Sequence, residues 1–275
     1  MFSADKFDHR IYLGNLQSVL NLPSDITHVL TVLDFEPTLK RDDASVKIKR
    51  LYINSHDVPH MDLLGEFEQC YDFITQALEE NDANQVLIHC YAGRSRSATI
   101  ALMYLMKKYQ YTYDEAEKHL KEKRPDILVN EGFKRQLQLF FDLGYTVDRQ
   151  HKRYLAHQFE CLRLKYIETY GYERKRQIKQ QFLALLPSEK SVPPFYVCKE
   201  CQTNLFTEKD IIHKDGNHAY LTYISLIIEQ FGPYVCGDLK CPNCEKKLGS
   251  YQLDGKTVNG VKQEPCFEFD LTLVG

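Results

Sequence analysis

One segment constrains this chain more than any other. His89-Cys90-Tyr91-Ala92-Gly93-Arg94-Ser95-Arg96-Ser97 joins a strand-like run to a helix-like run through a tight loop. Upstream, Gln85-Val86-Leu87-Ile88 is a short apolar run of the kind a fully buried strand shows. Downstream, Ala98 to Lys108 sets Ile100, Leu102, Met103, Leu105 and Met106 among good helix formers. A strand that feeds a helix in this way gathers backbone N–H groups at the helix N-terminus, where the macrodipole also favours negative charge. The segment therefore reads as a phosphate trap with a nucleophile at its base.

Cys90 opens the loop and Arg96 closes it. Curled between them, Tyr91, Ala92, Gly93, Arg94 and Ser95 can turn their amides onto phosphate oxygens, and the planar Arg96 guanidinium can hold two of those oxygens at once. The same field acts on the sulfur. Helix N-termini and neighbouring cations lower a thiol's pKa, so Cys90 is expected as a thiolate at neutral pH. Gly93 supplies a position without a side chain where the turn is tightest.

At these residues the chain resembles the cysteine-dependent protein tyrosine phosphatase superfamily, whose signature is His-Cys-x-x-Gly-x-x-Arg-[Ser/Thr], and within it the dual-specificity branch. Arg10-Ile11-Tyr12-Leu13-Gly14-Asn15 and Ile26-Thr27-His28-Val29-Leu30 resemble that branch's two opening strands. Arg124-Pro125 with Asn130, Gly132-Phe133 and Gln136-Leu137 resembles its closing helices, so the resemblance covers residues 1–145. It implies an α/β catalytic domain with a central, mostly parallel sheet flanked by helices.

The resemblance also implies a mechanism. Cys90 would attack phosphorus to form a phosphocysteine while Arg96 holds the phosphate, and the leaving oxygen would take its proton from an Asp on an upstream loop. Asp57, in Ile53-Asn54-Ser55-His56-Asp57-Val58-Pro59, matches that loop, after a strand-like run and before the helix-like Leu63 to Glu80. Asp62 is the rival, but it stands where a helix N-cap is wanted. Ser97 is expected to hydrogen-bond the departing sulfur, and His89 to brace the loop and tune Cys90 rather than to move protons. No metal is expected in this chemistry.

The length of 275 residues suggests two domains. A net charge of −3 argues against bulk attraction to nucleic acid. The opening Met1-Phe2-Ser3-Ala4-Asp5-Lys6 has no apolar signal region and no stretch is long enough to span a bilayer, so a cytoplasmic or nuclear protein without membrane contact is expected. Nine cysteines fit a reducing compartment, because a catalytic thiolate would be oxidised outside one. Cys70, Cys90 and Cys161 are scattered, whereas Cys198, Cys201, Cys236, Cys241, Cys244 and Cys266 crowd the last third and mark a second module over 195–275.

Residues 146–194 read as a helical connector. Leu155, Phe159, Leu162, Tyr166 and Ile167 recur at helical spacing, so one side can pack on a domain. Its Arg149, Lys152, Arg153, Arg163, Lys165, Arg174, Lys175, Arg176 and Lys179 read either as a solvated helical face or as a basic strip for RNA. Pro187 and Ser191-Val192-Pro193-Pro194 read as a stop and a short stiff spacer.

Cys198-Lys199-Glu200-Cys201 and Cys241-Pro242-Asn243-Cys244 are two knuckles of the kind that give zinc four thiolates, and a closed set of four ligands means a structural metal. Their separation exceeds the usual spacing of about 15–20 residues, so the intervening chain must form a large excursion. A tail this small would draw much of its stability from the ion. With Leu248-Gly249-Ser250-Tyr251, these knuckles and the phosphatase signature together resemble the zinc-tailed phosphatases of the dual specificity protein phosphatase 12 type. That subfamily's tail carries ligands for a second zinc, and here the pattern departs: Leu221-Thr222 and Val258-Asn259-Gly260 stand where cysteines are expected. His213, Cys236 and Cys266 are what remains to rebuild a second site, and its loss is the expectation.

The leading expectation is hydrolysis of phosphotyrosine and phosphoserine or phosphothreonine in proteins. Phosphoinositide phosphatases of this fold tend to place Lys inside the loop, which Tyr91, Ala92, Arg94 and Ser95 do not supply. An RNA 5′-triphosphatase would share the chemistry, but its usual nucleotidyltransferase partner does not fit after residue 145. A reading of a different class, implied by the resemblance, makes the zinc tail a binding module in ribosome assembly, meeting a pre-ribosomal particle or RNA.

Overall fold

Runs of apolar residues bounded by turns become strands, and the longer amphipathic runs become helices, in a computed structural model that describes residues 3–38, 48–186, 194–232, 234–258, 261–263 and 265–275. The chain divides into two compact units, Met1–Gln158 and Phe159–Gly275.

The strands of the first unit are β1 (Ala4–Asp8), β2 (Ile11–Gly14), β3 (His28–Leu33), β4 (Lys49–Asn54) and β5 (Val86–His89). They form one sheet in the order β1-β2-β5-β3-β4, parallel throughout except for the antiparallel β1–β2 pair. Side chains alternate along a strand, so Val86 and Ile88 of β5 enter one core and Leu87 enters another on the opposite face. The larger core packs the sheet against α2 (Phe67–Glu80), α3 (Arg96–Tyr109), α4 (Tyr113–Lys123) and α5 (Glu131–Asp142) through Phe67, Leu102, Leu120 and Phe133. The smaller core includes Val19 of α1 (Leu16–Leu20). α3 is buried continuously from Arg96 to Met106, which explains a sequence apolar on every side. This is the expected central, mostly parallel sheet flanked by helices.

Because β3, β4 and β5 run parallel, their C-terminal ends share one edge of the sheet. Ligands of open α/β sheets bind outside such an edge. The segments that leave it are Asp34, Ser55 to Asp57, and Cys90 to Ser95.

α6 (Lys152–Glu168) contains the boundary between the units. The second unit continues with α7 (Tyr172–Leu185), the β6 (Phe195–Val197) and β7 (Asn204–Thr207) pair, β8 (Ile211–Asp215), β9 (His218–Leu221), α8 (Ser225–Glu229), β10 (Cys236–Lys240), β11 (Lys247–Gln252), β12 (Lys256–Val258), β13 (Val261–Gln263) and β14 (Cys266–Asp270). Its main sheet is antiparallel in the order β10-β11-β14-β9-β8. Phe206, Leu239, Tyr251, Phe267 and Phe269 fill the core.

The stretch expected as a connector does not stand apart. Tyr154 is buried in the core of the first unit, whereas Tyr166, Ile178 and Phe182 are buried in the core of the second. Five of its nine cations are engaged locally. Arg149 donates to the Gly65 carbonyl, Arg153 pairs with Asp142, and Arg176 pairs with Glu173. Arg163 is buried against Glu160 and the Leu253 carbonyl, and Lys179 donates to the carbonyls of Glu229 and Phe231. Carboxylates and carbonyls close in space hold these five, which a count of basic residues cannot anticipate. Pro187 and Ser191-Val192-Pro193 of the spacer lie outside the described residues.

Candidate active site and metal centre

The loop after β5 wraps its own sulfur. Cys90 is 1% exposed, and its Sγ accepts from the Ser97 hydroxyl at 3.1 Å and from the Gly93 amide at 3.3 Å. Both donors stabilise negative charge on sulfur. Gly93 has φ +70°, and a Cβ there would lie 2.6 Å from the Gly14 carbonyl oxygen, so the turn admits glycine alone. Behind the loop, Arg124 donates to the carbonyls of Gly93 at 2.9 Å and Ala92 at 3.4 Å, and its other edge pairs with Asp5 at 2.6 Å. Leu16 donates its amide to the Tyr91 carbonyl. Carbonyls held outward in this way leave the opposite face of the peptide chain for an anion.

Arg96 is 8% exposed and reaches the same edge. Its Nη1 donates to the Ser55 carbonyl at 3.0 Å and lies 3.5 Å from Asp34 Oδ1. Its Nε is buried and has no hydrogen-bond partner. An unsatisfied buried N–H of a cation is costly, and an oxyanion would satisfy it. Asp34, which follows β3, escaped sequence reading because only the sheet brings it to Arg96.

His89 is fully buried, with Nε2 2.7 Å from the Thr31 hydroxyl and Nδ1 3.4 Å from the Cys90 carbonyl. Burial lowers its pKa to about 4, with the Cys90 carbonyl opposing. The ring is neutral at physiological pH and is held between the Thr31 hydroxyl and the Cys90 carbonyl.

The two rival carboxylates differ in their surroundings. Asp57 Oδ1 accepts from Ser95 Oγ at 2.6 Å and Asn130 Nδ2 at 2.8 Å, and its Oδ2 lies 3.9 Å from Arg96 Nε. Asp62 points elsewhere. It accepts from the Gly65 amide, within the short 3-10 turn Leu64–Glu66, at 3.2 Å, and also from Tyr154 at 3.0 Å, with His157 Nε2 at 3.2 Å. Burial pushes its pKa up, but His157, Gly65 and Tyr154 together outweigh this and hold the carboxyl low.

The start of α5 fastens the Asp57 loop. Asn130 caps the helix through the Phe133 amide at 2.9 Å while reaching Asp57. Gln136 accepts from the Leu63 and Leu64 amides at 2.8 and 2.9 Å and donates to the Met61 carbonyl at 2.8 Å. Of the other loop side chains, Tyr91 is 62% exposed, and Arg94 turns aside to donate to the Asp126 carbonyl at 2.7 Å.

In the second unit the sulfurs of Cys198, Cys201, Cys241 and Cys244 lie within 4.8 Å of one another. Cys198 and Cys244 are 3.7 Å apart, and Cys201 and Cys241 are 3.4 Å apart. Four sulfurs at the Zn–S distance would stand about 3.8 Å apart at the edges of a tetrahedron, so this donor set fits zinc. The two knuckles share one backbone design: the Gln202 and Glu245 amides donate to the Cys198 and Cys241 carbonyls, and both residues take positive φ, 58° and 57°. Among the described residues no other group of three or more potential ligands converges in this way. Gln252 of β11 separates Cys236 from Cys266, and Tyr220 stands between His213 and Glu268, so the three residues left for a second site do not meet.

A model of the dual specificity phosphatase catalytic domain matches residues 11–142. The chain is 31% identical over 261 residues to dual specificity protein phosphatase 12 of Homo sapiens, covering 84% of this chain and 74% of that protein. It is 29% identical over 267 residues to the tyrosine-protein phosphatase yvh1 of Schizosaccharomyces pombe, covering 89% and 76% respectively. Among solved structures, the Yvh1 phosphatase domain from Chaetomium thermophilum is 26% identical, with a TM-score of 0.47, covering 53% of this chain and 99% of that one.

Proposed function

Because the chain belongs to the dual specificity phosphatase family, in its zinc-tailed type 12 branch, we propose that it hydrolyses phosphotyrosine and phosphoserine or phosphothreonine in proteins through a phosphocysteine at Cys90. A phosphate dianion repels nucleophiles, so the site must neutralise it and aim the sulfur in line with the leaving oxygen. The loop amides of Tyr91 to Arg96 and the Arg96 guanidinium do the first. The observation that carries this reading is the buried Arg96 Nε, a cationic donor without a hydrogen-bond partner at the end of the loop that Cys90 opens.

Cys90 Sγ attacks phosphorus as the bond to the leaving oxygen breaks, and that oxygen takes a proton from Asp57. Two donors already fill Asp57 Oδ1, which leaves Oδ2 to carry the proton. An acid so placed contributes about 10²–10⁴-fold. Ionised Asp57 then draws a proton from the water that attacks the phosphocysteine, and the Ser97 hydroxyl stabilises the sulfur as it leaves. His89 braces the loop without exchanging protons. Arg94, turned onto a backbone carbonyl, offers no second cation to a polyphosphorylated lipid headgroup, which supports protein substrates over phosphoinositides. Replacing Cys90→Ser should abolish hydrolysis of an aryl phosphate while inorganic phosphate still binds. Wild-type turnover in that variant would overturn the assignment.

The four cysteines would hold a structural zinc, whose four thiolates leave no open position for catalysis. A second reading, supported by the tail's separate core, gives this unit a binding role in ribosome assembly. It requires that, in a cell lacking the protein, the Cys90→Ser chain restore growth while a chain ending at Gln158 does not. Among the described residues no helix is long and apolar enough to cross a membrane.

A further inference from the structure

Arg96 is held by one edge of its guanidinium. That group carries five N–H donors, two on each Nη and one on Nε. Nη1 donates to the Ser55 carbonyl at 3.0 Å and lies 3.5 Å from Asp34 Oδ1. Among the described residues this is the guanidinium's only hydrogen bond, and Asp57 Oδ2, 3.9 Å from Nε, is too far to make another. The edge left open, Nε with Nη2, is one whose two parallel N–H groups match two oxygens of a phosphate.

Both acceptors facing Nη1 stand on a fixed base. β3 is buried along its whole length, and the Ser55 amide donates to the Leu33 carbonyl at 2.9 Å. The segments that leave β3 and β4 are therefore tied together one step beyond the strands. Asp34 follows Leu33 directly, so its carboxylate swings on side-chain torsions alone. Its second oxygen, Oδ2, lies 3.6 Å from Nδ1 of His56, the residue before Asp57. One carboxylate thus meets the arginine that closes the Cys90 loop and the neighbour of the proposed acid.

A carboxylate in that place works against binding. The Asp34 side chain is 42% exposed and sets a second negative charge, besides Asp57, around the cation that must receive a phosphate dianion. Like charges repel, and a site built for affinity alone would lack it. What Asp34 supplies is direction: with Nη1 drawn to Asp34 and Ser55, the guanidinium cannot turn that nitrogen towards the loop. Resting on the phosphatase reading above, we propose that Asp34 is a positioning residue, which fixes the Nη1 edge of Arg96 so that Nε and Nη2 together receive the phosphoryl oxygens in the transition state. Misplacing a group by about 1 Å can cost about 10²-fold in rate, so orientation of Arg96 outweighs a repulsion felt already in the bound ground state.

The test measures, on the full chain, turnover of p-nitrophenyl phosphate and its inhibition by orthovanadate, which mimics the five-coordinate transition state, and by inorganic phosphate, which does not. Asp34→Ala should lower kcat and weaken vanadate inhibition by about tenfold or more. It should weaken phosphate inhibition less, because a repelling charge has gone. Asp34→Asn keeps the size of the side chain and should shift both inhibitors in the same sense. Glu36→Gln removes a charge from the same segment, 3.9 Å from Arg50, and should change neither. In an Arg96→Lys background, whose ammonium has no edge to orient, Asp34→Ala should alter turnover by less than about twofold. The inference alone is overturned if vanadate shifts no more than phosphate in both Asp34 variants, if Glu36→Gln matches their loss, or if the loss is undiminished in the Arg96→Lys background. A wild-type chain without turnover would overturn the phosphatase reading and this inference with it.

Discussion

Asn130 donates from Nδ2 to Asp57 Oδ1 at 2.8 Å while its own Oδ1 accepts the Phe133 amide at 2.9 Å. One side chain therefore caps α5 and holds Asp57, the proposed acid. The two roles separate by substitution. Asn130→Asp keeps an oxygen for the cap, loses the donor and sets two carboxylates face to face. Turnover should fall by about tenfold or more on phosphates of poor leaving alcohols, which need the acid. It should fall far less on p-nitrophenyl phosphate, whose leaving group does not. Asn130→Ala should show the same selectivity and also lose about 1 kcal/mol of stability on denaturant unfolding. Equal losses on both substrates in Asn130→Asp would leave Asn130 a cap and nothing more.

Asp62 offers the converse case. Its carboxylate is held by Gly65, Tyr154 and His157, away from the Arg96 edge. Asp62→Asn should therefore cost about 1–3 kcal/mol of stability and leave turnover near wild type. Asp57→Ala should do the reverse, lowering turnover with little change in the unfolding midpoint. A variant pair with the opposite pattern would exchange the two assignments.

The pH dependence of stability follows from His89. Its folded pKa, about 4, lies below the ordinary value of 6.5, because burial disfavours the charged ring. The unfolded chain thus binds more protons between these values, and stability rises with pH across that window. The contribution is complete above pH 6.5 and is lost progressively as pH falls towards 4, by about 3 kcal/mol in all. Denaturant unfolding of the wild type at several pH values should show this slope. His89→Gln, which has nothing to protonate, should lack most of it.

The strand–loop–helix around Cys90 was legible because it is contiguous: Cys90, the loop amides, Gly93 and Arg96 follow one another between β5 and α3. The two cysteine knuckles were legible for the same reason, each pair of sulfurs needing one tight turn. Of the residues that reach the loop from elsewhere, Asp57 was named by resemblance and others were not. Asp34 meets Arg96, and Gln136 meets Leu63, only because the parallel sheet and α5 bring distant segments together. Asn130 stood out in the sequence by resemblance alone, with no role attached. The helical run after residue 146 shows another limit, since periodicity says that one face packs and not which core receives it. Tyr154 and Tyr166, on the same helix, are buried in different units.

Gly132 gives a test of how closely α5 must approach the acid loop. A Cβ at that position would lie 2.0 Å from the Pro59 carbonyl oxygen and 2.5 Å from its Cα, both backbone atoms that cannot turn away. Gly132→Ala must therefore displace the loop or the helix. It should cost about 1–3 kcal/mol and lower turnover with the selectivity of Asn130→Asp, because Asp57 stands two residues before Pro59. Full activity with an unchanged melting temperature would show that the loop yields freely.

Zinc removal should act on one unit and spare the chemistry of the other. Cys198 and Cys241 are 0% and 1% exposed, and both belong to the second unit's core together with Phe206 and Leu239. Without the ion, four thiols packed within 4.8 Å lose the charge that draws them together. A strong chelator, or Cys241→Ser, should abolish the cooperative unfolding transition of the tail at ordinary temperature. Hydrolysis of p-nitrophenyl phosphate, which draws on Cys90 and Arg96 in the first unit, should persist. Metal analysis of the untreated chain should give one zinc. Two per chain would mean that His213, Cys236 or Cys266 contributes to a site with residues outside the described ones, and a tail that melts identically with and without chelator would remove the metal from the fold altogether.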